Sequence, residues 1–379
     1  MANRDISVLQ LHQGYNIKPI DVSDLAEQVI KSLPPEKYVT TTLFLTGKPQ
    51  PGEKESCAER TIYLDLPKKN LRGLRLRALY ELFKTFRREH FDVVICNRFK
   101  PTSLMVWLHL LIGRPKCLSV VHILSDYRPF MRRLMVRLIA HKWHFVAVSE
   151  SVRQGLFALN CGFNERNVTV IENAIDSQQM LSLLYPADFS RKTLDLPTAK
   201  TIVGTIGRLD KRKGHIDLIR GFAKIHQQFP DVLIAIIGEG KERKTLEDEI
   251  ASLGLSDKVF LLGNVDGAAR YVKAFDIWIM PSHSEGLPLA LMEAMTAKLP
   301  ILTTSIPSMD YIVRPAGGMC FDVQNPDDLA KVLSDCLKLT PEQRAELGDQ
   351  SFQYLQKHFS LQRYRNEYLS LIKRLLNDR

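Results

Sequence analysis

The sequence predicts a doubly wound α/β protein built from two parallel-sheet domains, and three observations carry that prediction. Short apolar runs alternate with amphipathic stretches of helical period, which is the signature of buried parallel strands joined by helices. The alternation stops once, in a polar stretch, and then starts again. The chain has 379 residues, more than one ordinary core accommodates and enough for two.

Through the first half the strand-like runs are 6–11, 39–45, 91–97, 117–123, 144–149 and 168–173, with helical patterns such as 76–90 and 150–160 between them. The polar stretch around 180–198 has little strand character and is read as the linker. Strand-like runs resume at 201–209, 231–238, 258–264, 276–282, 300–305 and 319–323, with helices expected at 214–228, 241–253, 287–298 and 326–338. From Thr340 onward the pattern is helical, broken near Phe359 and Ser360. The expected division is residues 1–180, residues 181–358 and a final helix, 359–379, crossing back to the first domain. Two such domains facing each other would set the carboxyl ends of both sheets around one cleft, where ligands of open α/β sheets bind.

Composition is that of an ordinary globular protein, 45% hydrophobic and 25% charged. Six scattered cysteines form no C-x-x-C pair and read as reduced, buried thiols. The opening residues lack the apolar core of a signal peptide, and the longest apolar run, 104–113, is about half the ~20 residues a spanning helix needs. Of the net charge of +10, the segment 68–144 holds 17 basic and only 4 acidic residues, which points to an anionic partner for the first half alone.

Four stretches at strand ends could carry chemistry. In GTIGRLDKRKGHIDLI (204–219) a strand runs into a basic loop and then a helix, so Arg208 and Lys213 could hold a diphosphate beside a helix N-terminus; a solvated basic loop is the plainer alternative. In PSHSEGLPLALMEAM (281–295) a strand leads to Glu285, Gly286, Leu287 and Pro288 at a helix start, with Glu293 further along that helix. Backbone N–H groups of Gly286 and Leu287 suit an anion, and the carboxylates suit sugar and ribose hydroxyls. His122 ends the strand CLSVVHI, and Gly14 lies in the loop LHQGYNIKP after the first strand.

Taken together, Gly207-Arg208…Lys213-Gly214 and Glu285…Glu293 resemble the G-R-x-x-x-x-K-G and E-x7-E signatures of the family 4-type retaining glycosyltransferases. IIGEGKERKTLE (236–247), FLLGN (260–264), IENAID (171–176) and GGMCFDVQNPDDLA (317–330) also look like that family. The resemblance implies the GT-B fold, two Rossmann-like domains about a central cleft. It further implies that Arg208 and Lys213 hold the diphosphate, Glu293 the ribose and Glu285 the transferred sugar. Gly263 would border the base, and His122 and Gly14 the donor. No cofactor or metal is implied beyond a nucleotide-sugar donor, a UDP-sugar by preference. The implied reaction moves a hexose to a lipid-linked or lipopolysaccharide-type glycan in the cytoplasm, with the inner face of the membrane as an available location.

The sequence departs from the family in having a single glycine, Gly14, in the first loop and Asp310 where many relatives carry Glu after a Gly-rich turn. The segment 127–145 is a basic amphipathic helix whose Arg132, Arg133 and Arg137 would face the acceptor or an anionic membrane; packing of its apolar stripe on the sheet is the alternative. Other readings fit less well. Gly238-Glu239-Gly240-Lys241-Glu242-Arg243 lacks the third glycine of a dinucleotide site, and no stacking aromatics interleave the basic residues as nucleic acid would require. A GT-B scaffold that binds nucleotide sugar without turnover remains the alternative within the fold.

Overall fold

The computed structural model describes residues 5–17, 24–113 and 115–377, which fall into two compact units. In the first, β1 (Ile6–His12), β2 (Tyr38–Phe44), β3 (Arg60–Tyr63), β4 (Val93–Asn97), β5 (Lys116–Val121), β6 (Trp143–Ala147) and β7 (Val168–Val170) form a parallel sheet. Their order is β3-β2-β1-β4-β5-β6-β7, so the direction of winding reverses between β1 and β4. Helices α1 (Leu25–Lys31), α2 (Leu76–Arg88), α3 (Phe99–Ile112), α4 (Phe130–Ile139) and α5 (Glu150–Phe157) cover it. The inner strands are buried throughout, Val93 to Cys96 in β4 and all of β6, which is why they read as unbroken apolar runs.

The second unit opens with α6 (Ser177–Leu183) and α7 (Ala187–Thr193). Its strands are β8 (Thr201–Ile206), β9 (Val232–Ile237), β10 (Val259–Gly263), β11 (Ile277–Met280), β12 (Ile301–Thr304) and β13 (Met319–Phe321), ordered β10-β9-β8-β11-β12-β13. Here the winding reverses between β8 and β11. The helices are α8 (His215–Ile225), α9 (Arg243–Ser252), α10 (Leu289–Thr296), α11 (Pro307–Val313), α12 (Pro326–Lys338) and α13 (Pro341–His358). Leu218, Ile219 and Phe222 of α8 pack with Leu329 and Leu333 of α12, each fully buried side chain contributing about 1.5–3 kcal/mol. Gly221 lies at the crossing: a Cβ there would come within 2.7 Å of Leu329, so close helix packing outweighs the roughly 1 kcal/mol that glycine costs a helix.

The last helix, α14 (Leu361–Asn377), belongs to the first unit, with Tyr364 Oη donating to the Leu25 carbonyl (3.3 Å) and Arg363 paired with Glu172 (3.0 Å).

Three expectations need correction. The units divide at Asn173/Ala174, several residues before the expected 180/181 boundary, and at Ser360/Leu361, just after the expected 358/359. The expected linker is not one: it folds as α6 and α7, held by Arg191, which donates to the Ala274 carbonyl (2.9 Å) and pairs with Asp276 (2.7 Å). Its polarity misled because a buried guanidinium anchors it alongside the buried Met180, Leu184, Leu194 and Leu196. Finally, β3 went unseen, being four half-exposed residues on the sheet edge, and Cys57 is exposed while Cys96, Cys117, Cys161 and Cys336 are buried.

Candidate functional site

In the second unit, the loops leaving β8 and β11 meet where the winding reverses. After β8, Asp210 accepts from the Arg212 N–H (3.1 Å) and shapes a 3₁₀ turn over Lys211–Lys213. Gly214 follows at φ +64, and a Cβ on it would stand 2.0 Å from the Pro281 carbonyl oxygen. Only glycine lets this loop touch the segment after β11. That contact brings Lys213 Nζ to 2.7 Å from Glu285 Oε1. His283 adds a second strap: its N–H donates to the Arg212 carbonyl (2.7 Å) and its Nε2 lies 2.5 Å from Asp217 on α8. Arg208 stands largely in solvent, 74% exposed, with Asp210 at 3.4 Å. His215, at the start of α8, is buried, and burial first and Lys213 second lower its pKa to about 4, so its ring is neutral.

Glycines bind the neighbouring strand ends together. A Cβ on Gly238 would fall 1.9 Å from the Gly207 carbonyl oxygen, and one on Gly240 2.2 Å from that of Leu209, while the Gly238 N–H donates to Gly263 (2.8 Å). The G-x-G spacing here therefore serves backbone approach within the sheet. Gly286, Leu287 and Pro288 are buried before α10, and Glu293 is half-buried on it. Asp310 accepts from Ser305 (2.8 Å) and Arg314 (2.7 Å); burial raises its pKa, but these bonds more than offset it and leave it below the usual range.

The first unit has its own cluster at the β1/β4 reversal. His12 closes β1, Asn97 closes β4 and His122 follows β5. Gln10 Nε2 lies 2.8 Å and Asn97 Nδ2 3.4 Å from His12 Nε2; amide N–H groups donate, so this ring nitrogen accepts and the ring is neutral. Burial, then Arg98, then His122 lower the His12 pKa to about 3, and burial followed by Arg98 lowers that of His122 to about 4. Arg98 itself is exposed and holds φ +74, a backbone state that side chains rarely adopt. Gly14 is pressed against Thr46, where a Cβ would meet Oγ1 at 2.7 Å, and the Tyr15 N–H donates to the Thr46 carbonyl (2.8 Å). Lys18 and Pro19, the end of that loop, lie outside the described residues.

Residues 187–354 match the family model described as Glycosyl transferases group 1, and residues 27–179 match Glycosyltransferase Family 4. The chain belongs to the group 1 glycosyltransferases. Its relatives include the Escherichia coli UDP-Gal:alpha-D-GlcNAc-diphosphoundecaprenol alpha-1,3-galactosyltransferase, 24% identical over 63% of this chain. The chain spans 64% of that relative's length, under two thirds. The E. coli O-antigen biosynthesis glycosyltransferase WclY is 26% identical over 81% of this chain and 86% of its own. Among solved structures, Anabaena HepE in complex with UDP and glucose superposes with a TM-score of 0.80 at 18% identity, covering 97% of this chain and all of that one. This is the GT-B fold.

Within this glycosyltransferase, the structure gathers Arg208, Lys213, Glu285 and the glycines of the second unit at one reversal point, and His122 and Gly14 near the other. Sequence reasoning missed His12, Asn97, Arg98, His215 and the His283–Asp217 pair. The available signal was positional: His12 and Arg98 each end or follow a strand that neighbours its partner only through the sheet order. Of the three arginines expected on the acceptor side, Arg132 is engaged internally, over the Phe99 ring at 4.2 Å and 3.9 Å from Asp126. Among the described residues no helix is long and apolar enough to cross a membrane, and no group of three His, Cys, Asp or Glu is placed to hold a metal ion.

Proposed function

We propose that this glycosyltransferase moves a hexose from a UDP-sugar, with retention and without a metal ion, to a hydroxyl of a lipid-linked or lipopolysaccharide-type glycan. The observation that carries this reading is the Lys213–Glu285 pair at 2.7 Å beside the exposed Arg208. It joins a phosphate-binding cation to a hydroxyl-binding carboxylate at the start of α8, which no side chain caps. Arg208 and Lys213 would take the negative charge that builds on the β-phosphate as the glycosidic bond breaks. The acceptor oxygen bonds to the anomeric carbon, the bonding pair leaves with UDP, and the acceptor proton passes to the departing phosphate oxygen. Glu285 would hold the sugar hydroxyls and Glu293 the ribose, with Gly263 and residues 286–288 bordering the nucleotide. His122, kept neutral, would donate to or accept from the donor sugar without adding charge.

The choice of uridine rests on the UDP complex of HepE, and the choice of acceptor on the names of the galactosyltransferase and WclY. A nucleotide-sugar donor fits a cytoplasmic reaction at the inner face of the membrane that carries such an acceptor. The test is a panel of UDP-, GDP- and ADP-sugars with a diphospholipid-linked acceptor, followed by NMR of the anomeric proton. Release of UDP with an unchanged anomeric configuration, insensitive to chelator, is the expected result. Inversion, or chelator inhibition reversed by Mg²⁺ or Mn²⁺, would refute the corresponding part, and binding of donor without turnover would leave a scaffold.

A further inference from the structure

The glycines at the strand ends of the second unit differ in what requires them. Gly214, Gly238 and Gly263 hold positive φ, and a Cβ on Gly240 would stand 2.2 Å from the Leu209 carbonyl oxygen. Gly207, which follows β8, is under neither constraint. Its φ lies outside the left-handed region, and a Cβ there would meet nothing closer than 3.7 Å, its chain neighbours apart. The atoms around such a Cβ would be Lys213 Cδ and Cε at 3.7 Å and His215 Nε2 at 3.9 Å. Glycine at this position therefore keeps open a small space bounded by a lysine stem and an imidazole nitrogen.

His215 is the first residue of α8, only 3% exposed, and its Nδ1 is buried without a hydrogen-bond partner. A buried polar atom left unpaired costs stability, so a histidine that served packing alone would be bettered by phenylalanine. Burial first and Lys213 second lower its pKa to about 4, with Asp210 opposing, so the ring carries one proton. No acceptor stands at Nδ1, and the proton is assigned to Nε2, the nitrogen at the edge of the space over Gly207. That space is thus bordered by a neutral N–H, by a lysine whose Nζ meets Glu285, and by the start of an 11-residue helix that no side chain caps. A sugar hydroxyl would answer the N–H alone. A phosphate oxygen answers the N–H, the ammonium and the helix start together.

We propose that His215 is a further ligand of the donor's diphosphate, with a phosphate oxygen lying over Gly207 and accepting a hydrogen bond from Nε2–H beside the Lys213 ammonium. The inference rests on the nucleotide-sugar reading for the diphosphate alone, and not for the sugar, the acceptor or the stereochemistry. Its test is titration calorimetry of the full chain with UDP, GDP, ADP and inorganic pyrophosphate, and with uridine as the control that lacks phosphate. His215→Phe removes both the donor and the unpaired Nδ1. It should keep or raise the unfolding temperature while weakening the tightest diphosphate roughly tenfold to a hundredfold, the effect of one hydrogen bond to a charged group. His215→Gln, whose amide N–H reaches about as far from the backbone as Nε2–H, should keep most of the wild-type affinity. Gly207→Ala, to which neither the backbone nor the 3.7 Å contacts are an obstacle, should fold as wild type and also weaken binding about tenfold. In spectra of ¹⁵N-histidine protein, the His215 signal, identified by its loss in His215→Gln, should report the Nε2–H tautomer. It should shift with the tightest diphosphate and stay unmoved by uridine, a readout that needs no folded Phe variant. Undiminished binding by His215→Phe or Gly207→Ala, equal loss in His215→Phe and His215→Gln, or a ring signal indifferent to the diphosphate overturns this assignment and leaves the nucleotide-sugar reading standing. Failure of every diphosphate to bind removes both.

Discussion

In the second unit many cations of the outer surface are matched by carboxylates. Arg243 lies between Glu239 and Glu247, Arg220 meets Glu249, Lys224 meets Asp327 and Lys213 meets Glu285. In the first unit, from α2 to α4, the cations outnumber every available carboxylate and share their surface with exposed leucines and Phe130. One fold type has thus been given two kinds of surface. The second unit pairs many of its surface cations with carboxylates and leaves Arg208 exposed near the start of α8, as fits a small anionic ligand. The first leaves a broad face unsatisfied, as fits an extended one.

The strongest way to break this comparison is at the satisfied site. Lys213→Ala and Glu285→Ala should each slow transfer about 30- to 1000-fold, the roughly 2–4 kcal/mol that a charge-assisted contact contributes to a transition state. Because each residue is the other's partner, the double variant should lose far less than the product of the single losses. Steady-state rates of all three variants decide it, and a single variant retaining more than about half the wild-type rate would remove that residue from the mechanism.

A smaller contrast should appear on acidification. An unfolded histidine titrates near 6.5, whereas His12 titrates at about 3 and His122 at about 4 in the fold. The folded values are the lower ones, so the unfolded chain binds the extra protons. Stability is therefore full above about pH 6.5 and falls as pH drops toward 4, by up to about 1.4 kcal/mol per pH unit for each ring. The first unit has two such rings at its reversal point and the second has His215 at its own. Hydrogen exchange at pH 7 and pH 5 should show protection falling further in the first unit, and the reverse order would contradict it. Arg98→Gln should raise both first-unit values modestly in an NMR titration, because burial, the larger cause, remains.

How much of this was readable in the chain varies with what fixes each feature. The buried strands were legible because a parallel sheet covered on both faces demands continuous apolar runs such as VVIC in β4. Lys213 and Glu285 were legible only through the family pattern; nothing in a spacing of this length says that Gly214 presses on Pro281 and closes it. The cluster of His12, Asn97 and Arg98 was hidden because it depends on β1 lying beside β4, a fact of sheet order. The exposure of Phe130 and Leu134 was undetermined for a similar reason. A helical period shows which residues share a side, and packing decides which side faces the sheet.

The finest test reverses single charges in the two units and asks for opposite signs. Arg243→Glu would break two i,i+4 ion pairs on α9 and set a carboxylate between Glu239 and Glu247. All three side chains are solvent-accessible, so the cost is at most about 1 kcal/mol. Arg137→Glu, on the outer side of α4, would instead remove a cation from a like-charged neighbourhood at the cost of one long hydrogen bond to Asn160. Its effect should be neutral or stabilising by a few tenths of a kcal/mol. Both differences should shrink in about 1 M salt, where charges are screened within roughly 3 Å. Chemical denaturation with urea, which adds no ions, reads both variants at low and high salt. If Arg137→Glu proved as costly as Arg243→Glu, the first unit's cations would already be balanced within the fold, and the contrast between the two surfaces would fail.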